Sequence, residues 1–132
     1  MRKTVLTLED ARKVAAAAVA EAGRNRWTMA IALVDDGGHL VCFERIDGTQ
    51  VGSVDVAIGK ARTSVFFKRP TKALEDAVAK GKIGFLTFPN AILVEGGVPI
   101  LSDGKVIGGI GVSGATSAED AQVAAAGLAA LE

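Results

Sequence analysis

Residues 94–114, VEGGVPILSDGKVIGGIGVSG, hold seven glycines, one glutamate and no aromatic residue. A glycine inside a strand gives up side-chain packing, so a run of them marks bulges or a surface that another backbone or a flat ligand approaches closely. Val98 to Leu101 and Lys105 to Ser113 read as strands, joined by Ser102-Asp103-Gly104-Lys105, a strong hairpin sequence. A Walker-type phosphate loop does not fit, because no Gly-Lys-Ser/Thr precedes a helix here. Gly109, Gly111 and Gly114 have only the spacing of a dinucleotide fingerprint, which would follow the first strand of a βαβ unit and not a hairpin. Gly108, Gly109 and Gly111 therefore predict a sheet that lets a helix, a second subunit or a flat ligand sit close to its backbone.

The other segments build around that hairpin. Thr7, followed by Glu9 and Asp10, reads as an N-cap with an acidic first turn, and Leu8, Ala11, Val14, Ala15, Ala18 and Val19 keep helical spacing up to Gly23. Trp27 to Val34 and His39 to Ile46 read as two strands around the tight turn Asp35-Asp36-Gly37-Gly38. The helical period returns between Ser53 and Phe67, with Lys60 and Arg62 pointing in different directions from the apolar stripe. Arg69-Pro70-Thr71 ends that helix, and Thr71 is placed to cap a third one reaching about Lys80, before Gly81. Residues 82–90 form a connection, Ile92 to Glu95 reads as a further short strand, and Thr116 or Ser117 opens a final helix rich in Ala, Val and Leu. The order α-β-β-α-α-β-β-β-α predicts an α+β fold, an antiparallel sheet of about five strands with helices packed on it.

At 132 residues, without an internal repeat or low-complexity linker, the chain matches one domain spanning residues 1–132. Apolar residues make up 49%, much of it alanine, and with five Phe, one Trp and no Tyr the core must be packed from small side chains. Such a chain gains further burial by pairing with copies of itself, so a homo-oligomer is expected. Fifteen Lys and Arg balance fifteen Asp and Glu, so bulk charge points to neither a nucleic acid nor a membrane as partner and leaves a small-molecule ligand or substrate. The single cysteine, Cys42, rules out an internal disulfide, and no Cys/His spacing offers a zinc site. Glu9, Asp10, Arg12 and Lys13 interrupt what would otherwise resemble a secretion signal, and no stretch approaches the ~18 apolar residues of a membrane span. The expectation is a soluble, cytoplasmic protein.

Candidate chemistry gathers at a few positions. His39 is the only histidine; without a GxSxG elbow it reads as a solvent-facing turn residue or as an axial metal ligand. Cys42 lies three residues on, faces the opposite side of a flat strand, and reads as a small core residue. Glu95 enters a largely apolar stretch, where a lone acid pairs with a cation or has its pKa raised by desolvation. Lys60 and Arg62 are its expected partners, either in a structural salt bridge or as anion-binding groups beside Glu95 as general acid-base. The backbone amides of Gly96 and Gly97 would then supply an oxyanion site. The final hairpin and the second helix are expected to enclose one cavity in which Glu95 meets a basic side chain.

The runs ALVDDGGHLVCFERIDG, SVDVAIGKARTSVFF, RPTKALED, VEGGVPIL and GKVIGGIGVSGATSAED together resemble the GlcG/HbpS family of small haem-binding or haem-degrading domains, which also supplies the C-terminal domain of PduO-type corrinoid adenosyltransferases. The resemblance covers about residues 5 to 131. It implies a profilin-like antiparallel sheet flanked by helices, and homo-oligomers from dimers to octamers. The matching motif positions are Asp35, Gly38, Lys60, Glu95, Gly96, Gly97, Gly111, Ser113 and Gly114. Three functions follow. The first is a haem-binding accessory protein with His39 as axial ligand, Gly96, Gly97, Gly111 and Ser113 lining the cofactor, and Lys60, Arg62 or Arg45 meeting its propionates. The second is an isomerase, tautomerase or lyase of an organic acid using Glu95, Lys60 and Arg62. The third is a non-catalytic scaffold for a corrinoid or a partner chain.

Overall fold

A computed structural model describes all residues, 1–132. The elements run α1 (Leu8–Arg24), β1 (Ala30–Asp35), β2 (Leu40–Arg45), α2 (Gly52–Phe66), α3 (Thr71–Ala79), a 3-10 turn (Ile83–Thr87), β3 (Gly97–Ser102), β4 (Lys105–Ser113) and α4 (Ser117–Ala129). The four strands form one antiparallel sheet in the order β2-β1-β4-β3. None of the helices is long and apolar enough to cross a membrane.

Helices cover both faces of this sheet. Leu33, Ile31, Ile110 and Val112 project to one side, into a core shared with Val14 and Ala18 of α1 and Val123 and Ala124 of α4. Ala30, Ala32 and Val34 project to the other, against Ala57, Ala61 and Val65 of α2. The alternation is the strand period of two, and it explains why β1 reads as a continuous apolar run: both of its faces are buried.

Gly109 and Gly111 of β4 are answered by α2, while Gly108 faces Val34 and Leu6. A methyl group at Gly109 would stand 2.6 Å from Ser64 Oγ and 2.9 Å from the Ala61 carbonyl oxygen, and one at Gly111 would collide with the Ala57 carbonyl oxygen. Glycine here lets a helix backbone rest directly on the sheet. Of the three occupants that the sequence allows, a helix is the one present on this face, and no flat ligand can share it.

Local signals account for most of the element ends. Thr7 Oγ1 accepts the Asp10 N–H at 3.1 Å, and Thr116 and Glu119 form a reciprocal capping box at the start of α4. Gly23 stays within α1, and the chain turns instead at Arg26, whose φ is 59°. Thr71 is not the cap of α3: Pro70 holds that position, and the Thr71 hydroxyl accepts the Gly97 N–H at 2.9 Å, tying α3 to β3.

The sheet has four strands and not about five. Residues 92–95 pair with no strand; the Ile92 N–H donates to Thr63 Oγ1 at 2.9 Å, and its side chain lies over Gly59, where a methyl would stand 2.5 Å from Ile92 Cγ1. The segment is docked on α2 through contacts that an extended apolar pattern does not distinguish from a strand.

Candidate functional site

Strand register separates the sequence-derived site into two ends of the sheet. Asp35 pairs with Gly108 at one end and Ala30 with Ser113 at the other. Five strand steps at ~3.3 Å put these ends roughly 17 Å apart. His39 belongs to the first end, in the β1–β2 turn, whereas Glu95, Gly96, Gly97 and Ser113 belong to the second. The cavity expected between the final hairpin and α2, with Glu95 meeting a basic side chain, is not formed: Gly97, Gly109 and Gly111 pack against the α2 backbone and Lys60 is held by Asp120.

At the second end, Lys60 is the dominant feature. It projects from α2 beneath the sheet, is 1% exposed, and its ammonium donates to Asp120 Oδ2 at 3.0 Å and to the Val112 carbonyl at 2.9 Å. Asp120, 2% exposed in the first turn of α4, also accepts the Ala115 N–H on its other oxygen at 3.1 Å. Burial pushes the Asp120 carboxyl above the ordinary carboxylate range, opposed by the Ala115 N–H and by Lys60. Gly96 closes over the pair: at its φ of 130°, a methyl would stand 2.8 Å from Lys60 Nζ. Sequence reasoning missed Asp120 because it reads as an ordinary acidic residue in a helix's first turn; Thr116, four residues earlier, was the available signal for that helix start.

The expected pairing of Glu95 with Lys60 or Arg62 is therefore corrected. Lys60 is committed to Asp120. Arg62, two residues on and so about 200° around the helix, is exposed, with its guanidinium 5.4 Å from the centroid of the Phe66 ring. Glu95 is half-buried beside α3, its N–H donating to Glu75 Oε1 at 3.4 Å. Lys72, ion-paired with Asp76 at 3.0 Å and Glu75 at 3.5 Å, is the cation facing this group; its pKa is raised first by the Asp76 hydrogen bond and, more weakly, by the charge of Glu95. The Gly97 N–H is already used by Thr71, and a methyl at Gly97 would collide with the Lys60 carbonyl oxygen, so this stretch is packed and not an open oxyanion site.

At the first end, the turn that carries His39 is tightly built. Asp35 Oδ1 accepts N–H groups from Gly37 at 2.9 Å and His39 at 3.0 Å, and Gly38 adopts φ 81° with its Cα against Phe66, where a methyl would stand 2.7 Å from the ring. Arg62 passes the same spot. His39 is exposed and its imidazole makes no hydrogen bond to the chain, so both ring nitrogens are open to a ligand from outside. Cys42 lies behind the sheet plane against the core, and desolvation raises its thiol pKa. No group of three or more His, Cys, Asp or Glu side chains has metal-holding geometry.

Residues 6–129 match the family described as HbpS-like, haem degrading protein HbpS-like. The chain belongs to the HbpS-like family. Protein GlcG of Escherichia coli strain K12 is 43% identical over 111 residues, covering 84% of this chain and 83% of that one. The crystal structure of HbpS superposes with a TM-score of 0.94 at 35% identity, over 100% of this chain and 94% of the other. A crystal structure of a PduOC:heme complex gives 0.89 at 27% identity, over 96% and 95%. Among HbpS-like structures the α+β architecture described above is thus shared along almost the whole chain.

Proposed function

We propose that this protein handles haem, binding it at the β1–β2 turn with His39 as the axial ligand. One observation carries the proposal: an HbpS-like chain, whose relatives include a structurally similar domain named as a haem complex, presents its single imidazole in solvent on a backbone fixed by Asp35. Haem, when bound, would supply an iron for which His39 would be the protein's ligand. Asp35 holds the turn by accepting two of its N–H groups, and Arg62, exposed beside Gly38, is the cation placed to meet a propionate.

Turnover of an organic acid through Glu95 has weaker support, since neither cation it requires lies beside it. Titrating hemin into the protein tests the haem reading. A Soret band shift in the wild type that is lost in His39→Ala is expected. No shift in the wild type counts against haem handling, and an equal shift in His39→Ala removes His39 from it.

A further inference from the structure

The segment before α1 belongs to no helix or strand, yet it is held in place. Leu6 is 7% exposed and packs into the core over Gly108, where a methyl would stand 2.9 Å from Leu6 Cδ2. Lys3 Nζ donates to Asp36 Oδ2 at 2.8 Å, which fastens the arm to the β1–β2 turn. The arm faces the tip of the β3–β4 hairpin and encloses with it a cleft of about 250 Å³. At that tip Asp103 and Gly104 have φ values of 50° and 76°, the two positive angles that a type I′ turn requires, and Ser102 pairs with Lys105 across it. Both walls of the cleft are therefore preformed.

Charge does not cancel inside it. Arg2, Lys3 and Lys105 line the cleft together with two carboxylates, Asp36 and Asp103. Lys3 and Asp36 neutralise each other. Arg2, Lys105 and Asp103 make no ion pair within the chain, so two free cations face one free acid, a surplus of one positive charge. Thr4 and Ser102 add hydroxyls, and Val106 and Ile107 give the wall an apolar part.

We infer that this cleft binds a small monocarboxylate with a short apolar tail. The planar guanidinium of Arg2 matches the two oxygens of a carboxylate, Lys105 adds a point charge, and the tail lies against Val106 and Ile107. A dianion suits the cleft less, because Asp103 repels the second charge. Larger anions are excluded by size, since pockets for drug-sized ligands start at roughly 300 Å³. The site uses neither His39 nor iron, and it stands or falls independently of the haem proposal.

Butyrate is the probe, with butyramide as its uncharged counterpart and succinate as the dianion. Each is titrated into the isotopically labelled full chain while amide chemical shifts are followed by NMR. Butyrate is expected to shift the amides of residues 102–107 saturably, succinate to bind more weakly, and butyramide to shift none of them. Arg2→Gln/Lys105→Gln should weaken butyrate binding about tenfold, the size of two exposed charge contacts. Lys13→Gln, which removes a lysine paired with Glu9 and Asp10 on α1, should leave it unchanged. Asp103→Asn keeps the turn, because Asn-Gly is the favoured type I′ pair, and should strengthen butyrate binding and narrow its lead over succinate. The spectra of the unliganded variants report that each is folded. Absence of a saturable shift with butyrate, equal shifts with butyramide, an equal loss in Lys13→Gln and the double variant, or weaker binding in Asp103→Asn overturns the site.

Discussion

The ammonium of Lys60 and the carboxylate of Asp120 meet at 3.0 Å across the end of the sheet, joining α2 to α4 from opposite faces, with both side chains almost wholly buried. Desolvating two charges costs about as much as their attraction returns, so such a pair is weak evidence of stabilisation, while removing one partner strands the other. Asp120→Asn or Lys60→Met alone is expected to destabilise by about 3–5 kcal/mol in denaturant unfolding. The double variant Lys60→Met/Asp120→Asn should lose clearly less than the sum. Additive losses would show that the two groups act independently, through Val112 and Ala115.

The acid limb of the stability curve should separate two aspartates. Burial raises the Asp120 pKa above its ordinary 3.8, so the folded state binds its proton more readily than the unfolded state. Its contribution to stability therefore declines as pH rises from about 3.8 through the raised value. Asp36 behaves oppositely: its hydrogen bond from Lys3, at 2.8 Å, holds it below 3.8, so its stabilisation is complete above that value and is lost as pH falls through the lowered one. Denaturant midpoints measured between about pH 2 and 7 should show the decline above 3.8 removed in Asp120→Asn. Asp36→Asn should soften the loss below 3.8, by an amount that shrinks in high salt because the pair is at the surface.

Much of the fold was legible because its signals are local. The Asp35-Asp36-Gly37-Gly38 and Ser102-Asp103-Gly104-Lys105 turns, the Thr7 cap and the period of α2 each act within a few residues, and they appear where the sequence puts them. Residues 92–95 were misread because their hydrogen bond to Thr63 and their packing on Gly59 span about thirty residues, leaving an apolar run that looks like a strand. The site was less legible for the same reason. Lys60 was recognised as important from its motif, but its partner lies 60 residues away on another helix, and Glu95, closer in sequence, took the role that Asp120 holds. The opposite ends of the sheet occupied by His39 and Ser113 follow from strand register, which needs the β1–β4 pairing and not the strands alone.

Two glycine substitutions should differ in sign. Gly111→Ala drives a methyl into the Ala57 carbonyl oxygen and within 2.5 Å of the Ala61 amide nitrogen, both backbone atoms of α2 that cannot rotate away. A loss of about 1–3 kcal/mol or more is expected, as for an overfilled core. Gly23→Ala sits in the last turn of α1 with nothing within 4 Å of the new methyl, so it should gain about 0.5–1 kcal/mol from helix propensity. Thermal unfolding of the two variants under one buffer decides it; a tolerated Gly111→Ala would mean that α2 can lift from the sheet and leave room for a ligand there.

The capping box of α4 ties the Lys60 site to a surface feature that can be changed without touching the buried pair. Thr116 Oγ1 accepts the Glu119 N–H at 3.2 Å, Glu119 Oε1 accepts the Thr116 N–H at 3.1 Å, and the same first turn carries Asp120, whose N–H donates to the Thr116 carbonyl at 2.8 Å. Thr116→Ala should cost about 1 kcal/mol by loss of the cap alone. Because fraying of this turn also moves the carboxylate that holds Lys60, combining Thr116→Ala with Lys60→Met should give a loss different from the sum of the two. Purely additive free energies, measured by urea unfolding of the single and double variants, would show that the cap and the buried pair are energetically separate.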